Sequence, residues 1–590
     1  MYFPTLKAES SSREVLEVFG GYHHKLRIGE GEFYDMKNLT SDTYPVLSPR
    51  TPRGVYASPA APQGMIAKDA LCYVDGDTFF IAGKPVEGLT LSTEEEDCPK
   101  TLVSMGAYVI ILPDKVYVNR EKFEDHGKIE AVKTITPSAD LTVTFSPCNV
   151  DGESYTIHYK QPEAPDTPSN GQYWLDTSTA PHSLKQYSEA MASWSSVTTT
   201  YVKIASPGIG TPFSQYDGIT ISGVEGEALS GLNGNFVLWS RGDNYLVVVG
   251  TLSGPVTVSS QTGPMTFARQ MPLMDFVIES ENRLWGCRYG PARNGQIVNE
   301  IYASKLGDFK NWTCYMGVST DSYAVSLGSD GAFTGAVTHL GHPIFFKEGC
   351  MHKIYGNYPA NYQLQTTACR GVQKGSHRSL AIVNEILYYK ARNGICAYDG
   401  SLPQEISSAL GQTVYGNAVA GAHGNKYYVS MQDTAGAWHL FVYDTALGLW
   451  HREDDTPVDT FCSCGDEMYL IDRRDQRIKT VFGSGEPAEP TVPWMAESGI
   501  IGCSLPDYKY VTRLTMRVML AKGSSMTVWI QYDSTGIWEE VCRLVGRNLQ
   551  SFAVPIRPRR CDHFRIRFEG SGDAKLLSVA KTMEKGSDVG

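Results

Sequence analysis

Apolar positions along this chain come in short runs broken by turn formers, and the run lengths suit strands, not helices. Residues Met274 to Trp312 show the pattern most clearly. Phe276-Val277-Ile278 and Leu284-Trp285-Gly286-Cys287 flank the turn-forming Ser280-Glu281-Asn282. A polar Gly/Asn loop follows, then Ile301-Tyr302-Ala303, and the piece closes on Gly307-Asp308 and Trp312. Short β-branched and aromatic strands punctuated by Gly, Asn and Asp predict an antiparallel meander. One such sheet cannot bury both of its faces, so it needs copies of itself.

Similar units begin near Gly64, Leu102, Phe333, Ser379, Asn417 and Asp459. With the unit at Met274, the start-to-start spacings are 38, 172, 59, 46, 38 and 42. Five of them lie near the period of roughly 40–50 residues expected of four-stranded propeller blades. The spacing of 172 is one blade step plus an insertion. The expectation is an all-β protein: a β-propeller of about six to seven blades with an inserted β domain and a C-terminal β-sandwich. A β-sandwich or several small β domains is the alternative. The division expected is an arm over 1–60, first blades over 61–139, inserted modules over 140–270, remaining blades over 271–489 and the sandwich over 490–590. Large side chains in the strand-like repeats should fill blade cores. They are Leu284, Trp285, Tyr302, Trp312, Tyr355, Tyr398 and Trp450.

Composition narrows the class. At 590 residues the chain is too long for one ordinary core. With 33 Tyr, 57 Gly and 20% charged residues it reads as a soluble, loop-rich β protein. The net charge of −12 argues against a DNA clamp. No apolar run approaches the about 18 residues of a membrane span. The N-terminal MYFPTLKAESSSREV lacks a basic region followed by an apolar core, so no signal peptide is expected. Thirteen scattered cysteines suit buried hydrophobes in a reducing cytosol better than a disulfide framework. Over residues 491–590 there are 14 Lys+Arg against 10 Asp+Glu, a net of +4, which leaves −16 elsewhere. Arg557, Arg559 and Arg560 form the densest basic cluster there. They are strand-flanking arginines on a solvated face, or a docking patch for an acidic partner.

Several series of residues occur in an order that resembles tail proteins of short-tailed bacteriophages, the tail nozzle or tail tubular protein B-like family. The opening has Phe19-Gly20-Gly21-Tyr22, Gly29-Glu30 and Pro52-Arg53-Gly54. Tyr173-Trp174-Leu175-Asp176, Leu184 and Trp194 are similar to a small Trp–Asp–Leu–Trp module of phage tail and fibre proteins. Asp217-Gly218-Ile219-Thr220-Ile221-Ser222-Gly223 and Asn233-Gly234 are similar to the inserted domain of tail tubular proteins. Asn282-Arg283-Leu284-Trp285, Tyr302-Ala303-Ser304, Gly307-Asp308 and Asn311-Trp312 resemble a nozzle blade. Phe346 to Gly349, Tyr355-Gly356, Gly371-Val372, Gly394-Ile395 and Tyr398-Asp399-Gly400 continue the series. The resemblance covers residues 19 to 480 in patches. It implies a ring of copies, commonly six, that contacts portal–adaptor proteins and tail fibres. Genomic DNA would pass through the lumen without specific binding. The place implied is the virion tail, after synthesis in the host cytoplasm. The arm and the basic C-terminal unit lie outside the repeat, so they are the expected connectors between copies. A hub or fibre-base protein that docks a host-surface glycan is the alternative.

No enzyme is expected. Gly-x-Ser-x-Gly, Gly-Lys-Ser/Thr and His-Glu-x-x-His do not occur. Cys462-Ser463-Cys464 and Cys350-Met351-His352 are isolated pairs, and zinc needs three or four ligands. Adjacent side chains of a strand, such as His23-His24, point to opposite faces. No cofactor or metal is therefore expected. The rival enzyme is a propeller glycosidase of the sialidase type, whose Ser-x-Asp-x-Gly-x-x-Trp turn is not matched by the offsets of Ser304, Asp308 and Trp312. Glycoside hydrolysis usually needs two carboxylates facing one ring, and the sequence does not pair its acids in space.

Overall fold

The alternating patterns become strands wherever a two-residue turn lets them. In the computed structural model, Phe276–Ser280 and Arg283–Pro291 pair antiparallel, with Ile278 opposite Trp285 and Glu279 opposite Leu284. Between them Glu281 and Asn282 both take positive φ, at 50° and 57°. That is the twist a tight hairpin between right-twisted strands requires. The structure describes residues 11–179, 182–197, 200–252, 254–503 and 507–586. The first ten residues, which carry part of the leader reading, lie outside them.

Seven such meanders form the propeller. Their inner strands are Pro62–Lys68, Thr101–Met105, Phe276–Ser280, Gly335–His339, Ala381–Val383, Tyr415–His423 and Val458–Cys464. Six sheets run in chain order from inner to outer strand. Neighbouring inner strands touch in sequence, and Val458–Cys464 returns to Pro62–Lys68, so the circle is closed. Between blades four and five the contact passes through the short 3-10 turn His377–Ser379. Apolar side chains fill the space between blades. Val103, Ile110, Leu284 and Trp312 share one cluster, and Ile344, Phe346, Leu387 and Tyr389 another.

Blade seven borrows from the start of the chain. Its own strands Val458–Cys464, Glu467–Asp472 and Ile478–Thr480 are completed by Gly54–Ala57, which in turn pairs with Glu486–Pro487. Gly54 fits there because a Cβ would collide with the carbonyl oxygen of Ser484. Residues expected in a separate arm therefore latch the ring. A further piece of it, Phe33–Lys37, joins the C-terminal sheet beside Pro493–Ser498.

That sheet holds eight strands on one hydrogen-bonded network. Its spine is Lys509–Tyr532, a single 24-residue strand. Its first half pairs with Ala574–Lys585 and its second half with Phe564–Ser571. Leu514, Met516 and Val518 from one half meet Met526, Val528 and Ile530 from the other in one core, so the sheet folds over itself. The sequence pattern reads these halves as separate strands because Gly523-Ser524-Ser525 interrupts the alternation.

Between blades two and three the chain leaves and returns on the antiparallel pair Ala131–Ile135 and Met265–Arg269. The insertion thus starts ahead of the expected residue 140. Two sheets of four and five strands share a core of Phe145, Ile204, Ile219, Leu246 and Phe267. A second, smaller sheet of Ile157–Gln161, Tyr173–Asp176, Ser183–Ser188 and Ser193–Ser196 is nested within it.

Candidate functional site

The residues expected in blade cores fall into four settings. Leu284, Trp285 and Tyr398 are buried between blades. Trp285 packs edge-on against Tyr362 with ring centroids 5.1 Å apart. Trp312 is also buried, but on a loop, where its indole nitrogen donates to the Phe309 carbonyl at 3.0 Å. Tyr302 and Tyr355 are only half-buried. The Tyr302 hydroxyl donates to Glu300 at 2.6 Å, and Tyr355 lies under the Lys353 ammonium at 4.8 Å. Trp450 is on the outer strand of blade six and faces the N-terminal segment. Its carbonyl accepts from the Tyr22 amide at 2.5 Å, and a Cβ on Gly21 would strike it. Tyr302 and Tyr355 line blade rims and Trp450 a joint, because polar tips and outer-strand positions favour those places.

The strongest electrostatic feature was not legible in the sequence. Arg53 is 3% exposed and donates to Glu453 at 2.7 Å, Asp454 at 2.8 Å and Thr456 at 2.9 Å. Arg50 reaches Glu489 at 2.8 Å and the side chain of Asn38 at 2.9 Å. Asn38 in turn donates to the Pro493 carbonyl at 2.7 Å. Burial alone would raise the Asp454 carboxyl, but the Arg53 and Arg50 guanidinium groups outweigh it and hold it well below its ordinary value. One ionic knot therefore ties the start of the chain, the link between blades six and seven, and the lead into the C-terminal sheet. Its partners stand about four hundred residues apart, beyond any local pattern.

Among the described residues, pockets open on the propeller near its axis and at blade five. The axial one, of about 250 Å³, is walled by Gly64, Thr101, Val419 and Phe461 from inner strands. Arg378 and Asp459 stand beside it, joined at 3.1 Å, and Arg473 reaches the other Asp459 oxygen at 3.3 Å. The second, of about 420 Å³, contains Lys390, Glu405 and Ser407 at blade five. Burial pulls the Lys390 ammonium down to about 8. It donates to Gln373 at 2.9 Å and to the Ala391 carbonyl at 2.5 Å. Glu405 pairs with Arg370 at 2.9 Å. Among the described residues no group of three or more His, Cys, Asp or Glu is placed to hold a metal ion.

The nested sheet carries an aromatic face. Its pairings put Tyr159 opposite Trp174 and Tyr187 opposite Trp194. Trp194 is the hub, with centroids 5.4 Å from Trp174, 5.3 Å from Tyr187 and 6.1 Å from Tyr159. Only Trp174 is fully buried, and the Lys185 ammonium lies 4.6 Å over its ring. None of the sheet's described residues joins a larger apolar core. The larger insertion is fastened to blade three. Asp217 holds Arg269 at 2.5 Å, and Asn311 donates to Asp217 at 3.0 Å and accepts from the Gly218 amide at 2.8 Å.

The arginine cluster is divided. Arg559 pairs with Glu539 at 2.9 Å, Arg560 lies 4.5 Å over the Tyr508 ring, and Arg557 is exposed.

No family model and no curated protein matches the chain. Solved structures with a partial likeness include an exo-β-1,3-galactanase from Phanerochaete chrysosporium, at 10% identity and a TM-score of 0.22, covering 52% of this chain and 94% of that one. PorZ, a surface component of the type-IX secretion system of Porphyromonas gingivalis, has 12% identity and a TM-score of 0.26 over 85% of this chain and 71% of its own. A GH43 glycoside hydrolase with xylanase and arabinofuranosidase activity has 8% identity and a TM-score of 0.18, over 54% and 100%. Glycoside hydrolases thus stand among the matches, and the expectation that the chain is not an enzyme is withdrawn. At these scores the likeness assigns no activity to this chain.

Proposed function

We propose that the protein is a structural component of a phage tail, most like the nozzle at the distal end of the DNA-ejection channel. The sequence series from Phe19 to Gly400 motivates the reading. The observation that carries it is the ionic knot of Arg50 and Arg53 together with the latching strand Gly54–Ala57. They tie the propeller to the lead into the C-terminal sheet, which suits a load-bearing ring. In this reading the conduit runs between copies, and the small size of the axial pocket, about 250 Å³, supports it. The partners are other copies, six in the ring, portal–adaptor proteins on one side and tail fibres around it. DNA slides through without specific contacts, and the chain resides in the virion tail. Electron micrographs of particles carrying an antibody label on this chain test the reading. Label at the tail end is expected, and label on the head, or none on intact particles, overturns it.

The aromatic face at Tyr159, Tyr187 and Trp194 favours a second reading, a hub or fibre-base protein that docks a host-surface glycan. Flat half-exposed rings suit the apolar face of a sugar. Retention of the full chain on host cell-wall material, lost in W194A, would support it, and equal retention of both would exclude it.

A further inference from the structure

Lys390 is a buried cation without a contacting carboxylate. It is 2% exposed and lies on the second strand of blade five, Ile386–Ala391. Its ammonium donates to the Gln373 side-chain oxygen at 2.9 Å and to the carbonyls of Ala391 and Arg392 at 2.5 and 3.5 Å. All three acceptors are neutral. Among the described residues Glu405 is the acid in the wall of the adjoining pocket, and it pairs with Arg370 at 2.9 Å instead. It acts on Lys390 only through space. A charge held out of water without a contacting counter-ion is costly, and burial accordingly pulls this ammonium toward its neutral form.

The pocket beside it has the size and lining of a small-molecule site. Its volume of about 420 Å³ is ordinary for such clefts. Ile395, Leu410 and Met431 give it apolar wall, and Ser407, Thr413 and Tyr415 bring hydroxyl groups. Glycine at 394 keeps space beside two of its polar groups. A Cβ there would stand 2.3 Å from the Ser407 hydroxyl oxygen and 2.9 Å from a Glu405 oxygen. The charged residues of the lining are Lys390, Arg392 and Glu405. Arg370 meets Glu405, so two cations are left over, one deep and one on exposed Arg392. The wall from Gly411 to Thr413 also borders His24 and exposed Lys25, which bring no acid to the site.

We propose that this pocket binds a small hydroxylated organic acid, its carboxylate drawn to Lys390 and Arg392 and its hydroxyl groups to Ser407, Thr413 and Tyr415. The ligand's anion gives Lys390 the contacting counter-ion that the chain does not supply, and such charge-assisted contacts are about twice as strong as neutral ones. The site belongs to blade five and not to the insertion, so it stands or falls separately from the tail reading and from the glycan reading.

Titration calorimetry on the full chain tests it, with glucuronate, glucose and inorganic phosphate as probes. Glucuronate should bind at least about tenfold tighter than glucose, which has the ring without the charge. It should also bind tighter than phosphate, which has the charge without the ring. Lys390→Met keeps the length of the side chain and removes its charge, and should abolish the preference for glucuronate over glucose. Should that variant fail to fold, Arg392→Gln decides. Arg392 is exposed, so Arg392→Gln should melt like the parent yet bind glucuronate at least about threefold more weakly. Trp194→Ala should bind it like the parent. A parent chain with no preference for glucuronate over either other probe overturns the inference. So does a folded Lys390→Met that keeps the preference, an Arg392→Gln with parent affinity, or a loss of binding in Trp194→Ala.

Discussion

Arg53 shows how much a single buried charge can hold. Its partner Glu453 is buried and Asp454 is largely so, so removing the guanidinium leaves two carboxylates poorly solvated and short of a cation. Arg53→Met should cost about 3–5 kcal/mol in urea unfolding, the usual loss when one side of a buried pair is deleted. A loss below about 1 kcal/mol would show that the knot is not load-sharing. Trp285 tests packing instead of charge. Trp285→Ala should cost about 3–5 kcal/mol, and a parent-like melt would place the ring outside the blade core. Two histidines set a pH window. Burial, with Lys347 nearby, pushes His352 down to about 4, and burial with Lys426 does the same to His451. The unfolded imidazoles take up protons near 6.5, so between there and about 4 the unfolded chain binds more protons than the folded one. Stability should therefore fall as pH drops through that interval, as linkage requires. Replacing both histidines by Gln should flatten the curve there, and an unchanged slope would assign the acid sensitivity to other groups.

At the scale of elements, the insertion and the latching strand make opposite predictions. The sheet within 157–196 shares no large core with its surroundings, and its ends are carried by neighbouring strands of the insertion. Deleting it and joining the ends should leave one cooperative melt for the remainder, whereas a broad, non-cooperative loss of structure would show that the sheet is an integral layer. Legibility followed the same division. Strand starts near Gly64, Leu102, Met274, Phe333, Ser379, Asn417 and Asp459 could be read because each meander is local, with turn formers between alternating runs. Gly54–Ala57 could not, since its partner Thr480 is 426 residues away and nothing in its four residues marks a blade. Trp312 misleads for a related reason. Its indole satisfies itself on a loop carbonyl, so a buried aromatic need not be a strand residue. The ionic knot was invisible because Arg50, Arg53, Glu453 and Glu489 are ordinary surface types until the fold brings them together.

For the whole molecule, the proposed ring is decided by the sign of the wall that its copies would present to the conduit. A ring through which DNA slides should line it with Asp, Glu, Ser and Gly and few Lys or Arg, because phosphate affinity comes from cations. A density map of the assembled particle, with charge projected on the lumen, checks this, and a strongly basic wall would refute it. The latching of blade seven also has a consequence for how the chain is made. Gly54–Ala57 leaves the ribosome about four hundred residues ahead of its partners Ile478–Thr480 and Glu486–Pro487. Phe33–Lys37 likewise waits for Pro493–Ser498. Until then the nascent chain carries unpaired strands of its own, and the toroid cannot shut. Pairings this distant in sequence form slowly and leave edges bare in the meantime. A stop before residue 478 therefore leaves an open ring in which Gly54–Ala57 has nothing to close on.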